Sequence, residues 1–133
     1  MDPITQQVVL ATAGAAGAGD PTYVDDVFST FLHEGNSSTQ TINNGIDLSG
    51  EGGLVWIKSR TETRVGILTD TERGSDKQLT PSVTDGEYTS TNYITAFNSN
   101  GFGLGTKNPV NRSAQDYVSW TFRKAPGFFD IVT

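Results

Sequence analysis

The sequence predicts an all-β protein: an antiparallel, jelly-roll-like β-sandwich with a short N-terminal helical or extended arm. Three observations lead there. Thr, Ser, Asn and Gly are abundant, with 15 glycines in 133 residues, whereas Leu, Lys, Glu and (outside the first twenty residues) Ala are scarce. β-Branched and aromatic side chains suit a pleated surface, and Gly and Asn suit tight turns. Apolar residues also alternate with polar ones at the two-residue period of a strand. Turn signals recur about every eight to twelve residues, the spacing of a sandwich or barrel of roughly seven to nine short strands.

The chain divides into an arm, residues 1–20, and a β-sandwich module, residues 21–133. Asp2-Pro3 reads as a helix start, and Ile4 and Val8 follow at helical spacing. The low-complexity run Gly14-Ala15-Ala16-Gly17-Ala18-Gly19 has no side chain large enough to build a core and reads as a hinge. Two readings of the arm stay open: a disordered terminus, and an anchor that orders when it docks on a partner. In the second, Ile4, Gln6, Gln7, Val8, Val9 and Leu10 are the candidate anchor and interface residues.

Strands are expected at Val27–His33, at Gln40–Leu48 with a bend near Asn43-Asn44-Gly45, and at Leu54–Ile57, partnered by Val65–Thr69. Ile42, Ile46 and Leu48 should share a buried face. The continuous run Leu54-Val55-Trp56-Ile57 reads as a strand buried on both sides. Residues 70–90 are polar and should be loops, with a short strand near Gln78-Leu79. Tyr93–Phe97 and the glycine-rich Phe102–Gly105 follow, the latter expected where another backbone approaches closely. Asn108–Ala114 reads as a loop. Along Asp116–Arg123 the pattern alternates cleanly, and hydropathy points Val118, Trp120 and Phe122 into the core. Pro126-Gly127 should turn the chain into one more strand from Phe128 to Val132. No internal repeat is evident.

Charge and composition limit the function. A formal net charge of -6 repels phosphates, which argues against a duplex nucleic-acid partner and against an anionic membrane. With 0 cysteines there are no disulfides and no thiolate metal sites. No apolar run approaches the roughly twenty residues that span a bilayer. No catalytic or metal-binding residue is assigned, and no cofactor is expected. His33-Glu34 is half of an acid-base or metal pair, but a lone His on an apolar strand reads better as a structural residue. Asp70 and Glu72 are spaced as a carboxylate pair, but Arg73 beside them favours a salt-bridged loop. Asp25, Asp26 and Asp47 lack the alternating pattern of a calcium loop. Gly101–Gly105 lacks the helix and the Lys of a phosphate loop. Trp56 and Trp120 lie in the most apolar runs and are assigned to the core. Tyr93 and Tyr117 are left as candidate glycan or interface residues.

Four ordered segments carry a resemblance: Gly53–Arg60, Thr69–Gly74, Thr95–Phe102 and Tyr117–Ala125. Together they resemble a module of tail-fibre and other virion proteins of phages, of the marine-phage or cyanophage type. The resemblance implies a lectin-like, concanavalin-type jelly roll and no catalytic motif. In the proteins it resembles, the Ala-Pro-Gly-Phe-Phe-Asp-Ile-Val run leads into a following module, so the polypeptide is expected to continue past Thr133.

The function this implies is that of a non-enzymatic virion structural protein: the particle-proximal, N-terminal part of a tail fibre or appendage that supports host attachment. Its expected partners are other virion proteins, copies of itself in a homotrimer, and a host surface glycan, with no nucleic acid and no membrane. Its expected place is the virion, on the phage tail or particle surface. A capsid decoration or cement protein and a glycan-binding module are the alternatives.

Overall fold

A computed structural model of the chain describes residues 21–133. The arm expected at residues 1–20, with its candidate anchor residues Ile4, Gln6, Gln7, Val8, Val9 and Leu10, lies outside the described residues.

The protein is an all-β sandwich built of antiparallel sheets. A one-turn helix α1 (Val24–Val27) leads directly into β1 (Phe28–Glu34). The strands that follow are β2 (Gln40–Asn43), β3 (Gly53–Ser59), β4 (Ile67–Asp70), β5 (Lys77–Gln78), β6 (Tyr88–Thr89), β7 (Ile94–Asn98) and β8 (Gly101–Leu104). A second one-turn helix α2 (Asn108–Asn111) precedes β9 (Asp116–Arg123). One sheet has the order β1-β9-β3-β4, a second β2-β8-β7, and β5 and β6 form a small ribbon.

The core lies between the two main sheets. Val55, Ile57, Ile67 and Tyr117 supply one side, and Ile42, Ile94, Phe102 and Leu104 the other. Ile46 and Leu48, from the β2–β3 connection, and Val110, from α2, close its ends. The shared burial expected of Ile42, Ile46 and Leu48 is observed, although only Gln40–Asn43 is strand. The pairing of the Val65–Thr69 segment with the Val-Trp-Ile run is also observed, as β4 against β3. Glycines sit in β8 because the backbone allows nothing larger: Gly101 has φ 143°, and a Cβ there would lie 1.9 Å from the Ile42 carbonyl oxygen.

Three expectations are corrected. The Val118/Trp120/Phe122 stripe does not face the core; Tyr117, Ser119 and Thr121 do, and all three are buried. Trp56, between the buried Val55 and Ile57, likewise points outward, so β3 is not buried on both faces. The expected last strand is not formed: Ala125 and Phe129 close a turn, and Ile131 and Val132 continue without a ladder. In addition, α2 replaces a stretch read as loop.

One buried polar residue joins the layers. Asn111 is fully buried, and its Nδ2 donates to the carbonyl oxygens of Ser38 (2.6 Å) and Gly105 (2.8 Å). Its Oδ1 accepts from the Asn36 backbone N–H (3.0 Å) and from Gln40 Nε2 (2.6 Å). Both ends of the amide are thus satisfied, and the turn after β1, the start of β2 and the end of β8 are held to α2. Asn111→Leu keeps the branched shape but strands these partners, so it should cost about 3 kcal/mol. Urea unfolding checks this, and an unchanged midpoint would contradict it.

Candidate functional site

The parity of β9 decides what the surface offers. Cross-strand partners project to the same side of a sheet. The register therefore sets Phe28, Phe122 and Leu54 in one outward row. Thr30, Trp120, Trp56 and Leu68 form the next, and Leu32, Val118 and Lys58 the third. The result is an apolar, aromatic outer face on the four-stranded sheet. The Trp56 and Trp120 ring centroids lie 5.0 Å apart at 54°, and those of Phe28 and Phe122 lie 5.0 Å apart at 53°. Phe129, from the C-terminal turn, packs 5.3 Å from Phe122 and extends the patch to Phe128. Leu32 is 58% exposed, Phe128 47% and Trp56 36%. A contiguous apolar surface of this kind marks a site of contact with another surface. The polar groups at its margin are Thr30, Lys58 and Glu34.

The edges of this sheet are managed unequally. On the β4 side, Leu68 and Leu79 exchange backbone hydrogen bonds of 2.9 and 3.0 Å, which closes that edge. On the other side β1 runs in unbroken register from Phe28 to Glu34 without Pro, Lys or bulge, and no described strand pairs with its free side.

Both tryptophans, expected in the core, point outward, and Tyr117, expected as a surface candidate, is the buried one. Tyr117 is 0% exposed. Its hydroxyl donates to the Asn108 carbonyl (2.5 Å) and accepts from the Arg112 backbone N–H (2.8 Å). Its ring stacks on His33 at 5.0 Å and 12°. It cannot serve as a glycan or interface platform. Burial raises the pKa of its phenol. Tyr93 is half-buried against the core, edge-on to Tyr88, with Lys107 Nζ 5.9 Å from its ring centroid. Desolvation, reinforced by the hydrogen bond to Tyr93, pushes the Tyr88 phenol well up.

The acidic candidates are tied into the frame. Asp70 is 2% exposed and accepts the backbone N–H groups of Glu72 (2.9 Å) and Arg73 (2.8 Å) while pairing with the Arg73 guanidinium. Arg73 also reaches Glu87 (2.9 Å), and Glu72 pairs with Lys124 (3.0 Å). Asp47 caps its own turn; the Gly50 N–H and then the Ser49 hydroxyl lower its pKa. Asp26 accepts the Tyr23 N–H at 3.0 Å. Among the described residues no three His, Asp or Glu side chains gather as a metal site, and no helix is long and apolar enough to cross a membrane.

His33 and Glu34 point to opposite faces, so they do not form a pair. The Val110 carbonyl can only accept, so His33 Nε2 carries the proton it donates there at 2.9 Å. Nδ1 is buried without a partner among the described residues. Burial lowers the His33 pKa, against a smaller opposing effect of the Val110 bond. The unfolded chain takes up this proton near pH 6.5, and the folded chain resists it until lower pH. Stability is therefore full above about 6.5 and falls as the pH drops toward the folded-state value. Urea midpoints measured from pH 7 to pH 5 should decline in the wild type and flatten in His33→Gln, since the chain has 1 histidine. An identical slope in the two proteins would contradict this assignment.

Residues 24–128 match a family described as a domain of unknown function, DUF7483. Neither a curated protein nor a solved structure matches the chain.

Proposed function

The chain belongs to the DUF7483 family of domains of unknown function, so its role must be read from its own surface, and we propose that it is a non-enzymatic structural protein of a phage virion. In this reading it forms the particle-proximal part of a tail fibre or appendage and supports host attachment through the parts it carries. The observation that carries the proposal is the outward aromatic face of the β1-β9-β3-β4 sheet. An isolated soluble domain gains nothing from leaving Leu32, Trp56 and Phe128 in water, whereas a module built into an assembly buries such a face at a joint.

Two further points support the reading. Asp70, Glu72 and Arg73 are engaged in ion pairs and backbone hydrogen bonds, which is a frame-holding use of charge. The four ordered segments Gly53–Arg60, Thr69–Gly74, Thr95–Phe102 and Tyr117–Ala125 resemble those of phage virion modules. Its partners in this proposal are other virion proteins and two further copies of the chain. A host glycan receives less support, because Tyr117 is buried and Lys107 stands over Tyr93.

The test uses assembled particles. Leu32→Ser/Trp56→Ser removes apolar surface from the outer face without touching the core. This variant should fold, with an unchanged far-ultraviolet β-sheet signature and a cooperative melt, and be missing from gradient-purified particles. Immunogold labelling of wild-type particles should mark the tail; labelling of the head would transfer the proposal to a capsid decoration protein. Incorporation of the double variant at the wild-type level would refute the joint.

A further inference from the structure

Among the described residues the free edge of β1 is open to a further strand, and we infer that a second copy of this chain takes it, β1 against β1, antiparallel about a two-fold axis at Phe31. The inference concerns the free chain and does not rest on the virion reading. A two-fold contact closes with two copies, so it adds to a three-copy assembly in a particle and does not supply it. Backbone groups are the first argument. The Gly35 N–H donates to the Gln115 carbonyl (2.8 Å), and the Arg60 N–H reaches the Asp116 carbonyl (2.7 Å) from the β3 side. Successive residues of a strand point these groups to opposite sides. Ser29, Phe31 and His33 therefore bond to β9, whereas Phe28, Thr30, Leu32 and Glu34 turn to the free edge. Two groups of that edge are already engaged. The Phe28 N–H donates to the Val24 carbonyl, and the Glu34 carbonyl accepts from Gln40 Nε2 (3.1 Å). What remains is the N–H groups of Thr30, Leu32 and Glu34 and the carbonyls of Phe28, Thr30 and Leu32.

These groups complement their own copies. With Phe31 opposite Phe31 of the second copy, the Thr30 N–H meets the Leu32 carbonyl of that copy, the Leu32 N–H its Thr30 carbonyl and the Glu34 N–H its Phe28 carbonyl. The same bonds run in reverse. The two engaged groups, the Phe28 N–H and the Glu34 carbonyl, fall opposite each other, so the pair leaves nothing at the edge short. Moving the axis to Thr30 or to Leu32 leaves one donor and one acceptor of each copy unmet. A strand of another protein would bring a donor to the Glu34 carbonyl and an acceptor to the Phe28 N–H and find both in use.

Side chains are the second argument. Phe31, half-buried at the margin of the core, lies directly opposite its own copy on the inner face, at a non-hydrogen-bonded position where side chains approach most closely. On the outer face the exposed Leu32 stands opposite Thr30 and diagonal to the second Leu32. Charge sets the strength. Glu34 of each copy comes to the end where Asp25 and Asp26 precede Phe28 of the other. Like charges thus meet at both ends, and added salt should tighten the pair by screening them. A contact one strand long spans about 24 Å. That is the small end of interfaces, so the pair should form at roughly 10 μM to 1 mM.

The test is sedimentation equilibrium of the full chain across that concentration range, with amide hydrogen exchange read on the same samples. The mass should rise from one chain to two. The Thr30 and Leu32 amides should become protected in step with it, while those of Phe31 and His33 stay protected throughout. Thr30→Pro removes a donor on the free side, a place where an edge strand tolerates Pro, and leaves the ladder to β9 intact. It should fold and sediment as a single chain. Trp56→Ser changes the outer face two strands in from the edge and should pair like the wild type. A single chain at every concentration would overturn the inference, as would a trimer. Thr30 and Leu32 amides already protected in the single chain would do the same, because the edge would then be covered from within the chain. So would wild-type pairing in folded Thr30→Pro, or loss of pairing in Trp56→Ser, which would mean that the copies meet face to face. If Thr30→Pro does not fold, the wild-type mass and amide protection decide the matter alone. No particle is used, so failure here is separable from failure of the virion proposal.

Discussion

Two hydrogen bonds on one phenol fix the side of β9 that faces inward. Tyr117 donates to the Asn108 carbonyl and accepts the Arg112 N–H, and both partners belong to the α2 segment at the end of the core. Because side chains alternate strictly, placing Tyr117 inward also places Ser119 and Thr121 inward, and Val118, Trp120 and Phe122 outward. β9 is the strand through which the sheet is joined, with β1 on one side and β3 on the other in unbroken register. Its parity is therefore transmitted to both neighbours: Phe31 and His33 turn in from β1, Val55 and Ile57 from β3. A slip of one residue would exchange the two faces of the whole sheet.

Core packing explains why small polar residues occupy inward positions. Ser119 lies opposite Phe31 and Ile57, and Thr121 opposite Val55, so bulky neighbours fill the space that the hydroxyls leave. The Thr121 hydroxyl accepts a 2.9 Å hydrogen bond from Asn44, which follows β2 of the facing sheet, so polarity there links the layers. The outward face receives the large aromatic side chains by default. Stability within the sandwich thus comes with an apolar exterior surface, and the functional proposal grows from that surface.

Much of the fold was legible because it rests on local pattern. Turns at Gly35–Ser38 and Asn98–Gly101, the alternation of β9, and the shared burial of Ile42, Ile46 and Leu48 all follow from short-range rules. The site was less legible for a definite reason. Both parities of β9 carry aromatic residues, and hydropathy ranks Val118, Trp120 and Phe122 above Tyr117, Ser119 and Thr121. Only the cross-strand register shows that the weaker stripe faces Val55 and Ile57. A usable clue lay in β3, where two β-branched aliphatics flank a single Trp of opposite parity. Asn111 gave no signal at all, because its four hydrogen bonds join segments more than sixty positions apart in three of four cases. The missing last strand reflects an apolar run, Phe128–Val132, with no described neighbour to pair with it beyond the Ala125–Phe129 bridge.

Both faces of the sheet follow from the inward side of β9, and a pair of adjacent substitutions reads it directly. Ser119→Lys and Val118→Lys place the same charge one residue apart. The observed parity predicts that replacing the polar serine, which is buried against Phe31 and Ile57, unfolds the domain, while replacing the apolar valine beside Leu32 and Lys58 leaves it folded. Calorimetric melting of the two proteins gives the answer. A cooperative transition in Val118→Lys and none in Ser119→Lys is the expected result; the reverse would place the aromatic stripe in the core and contradict the outer face on which the functional reading rests.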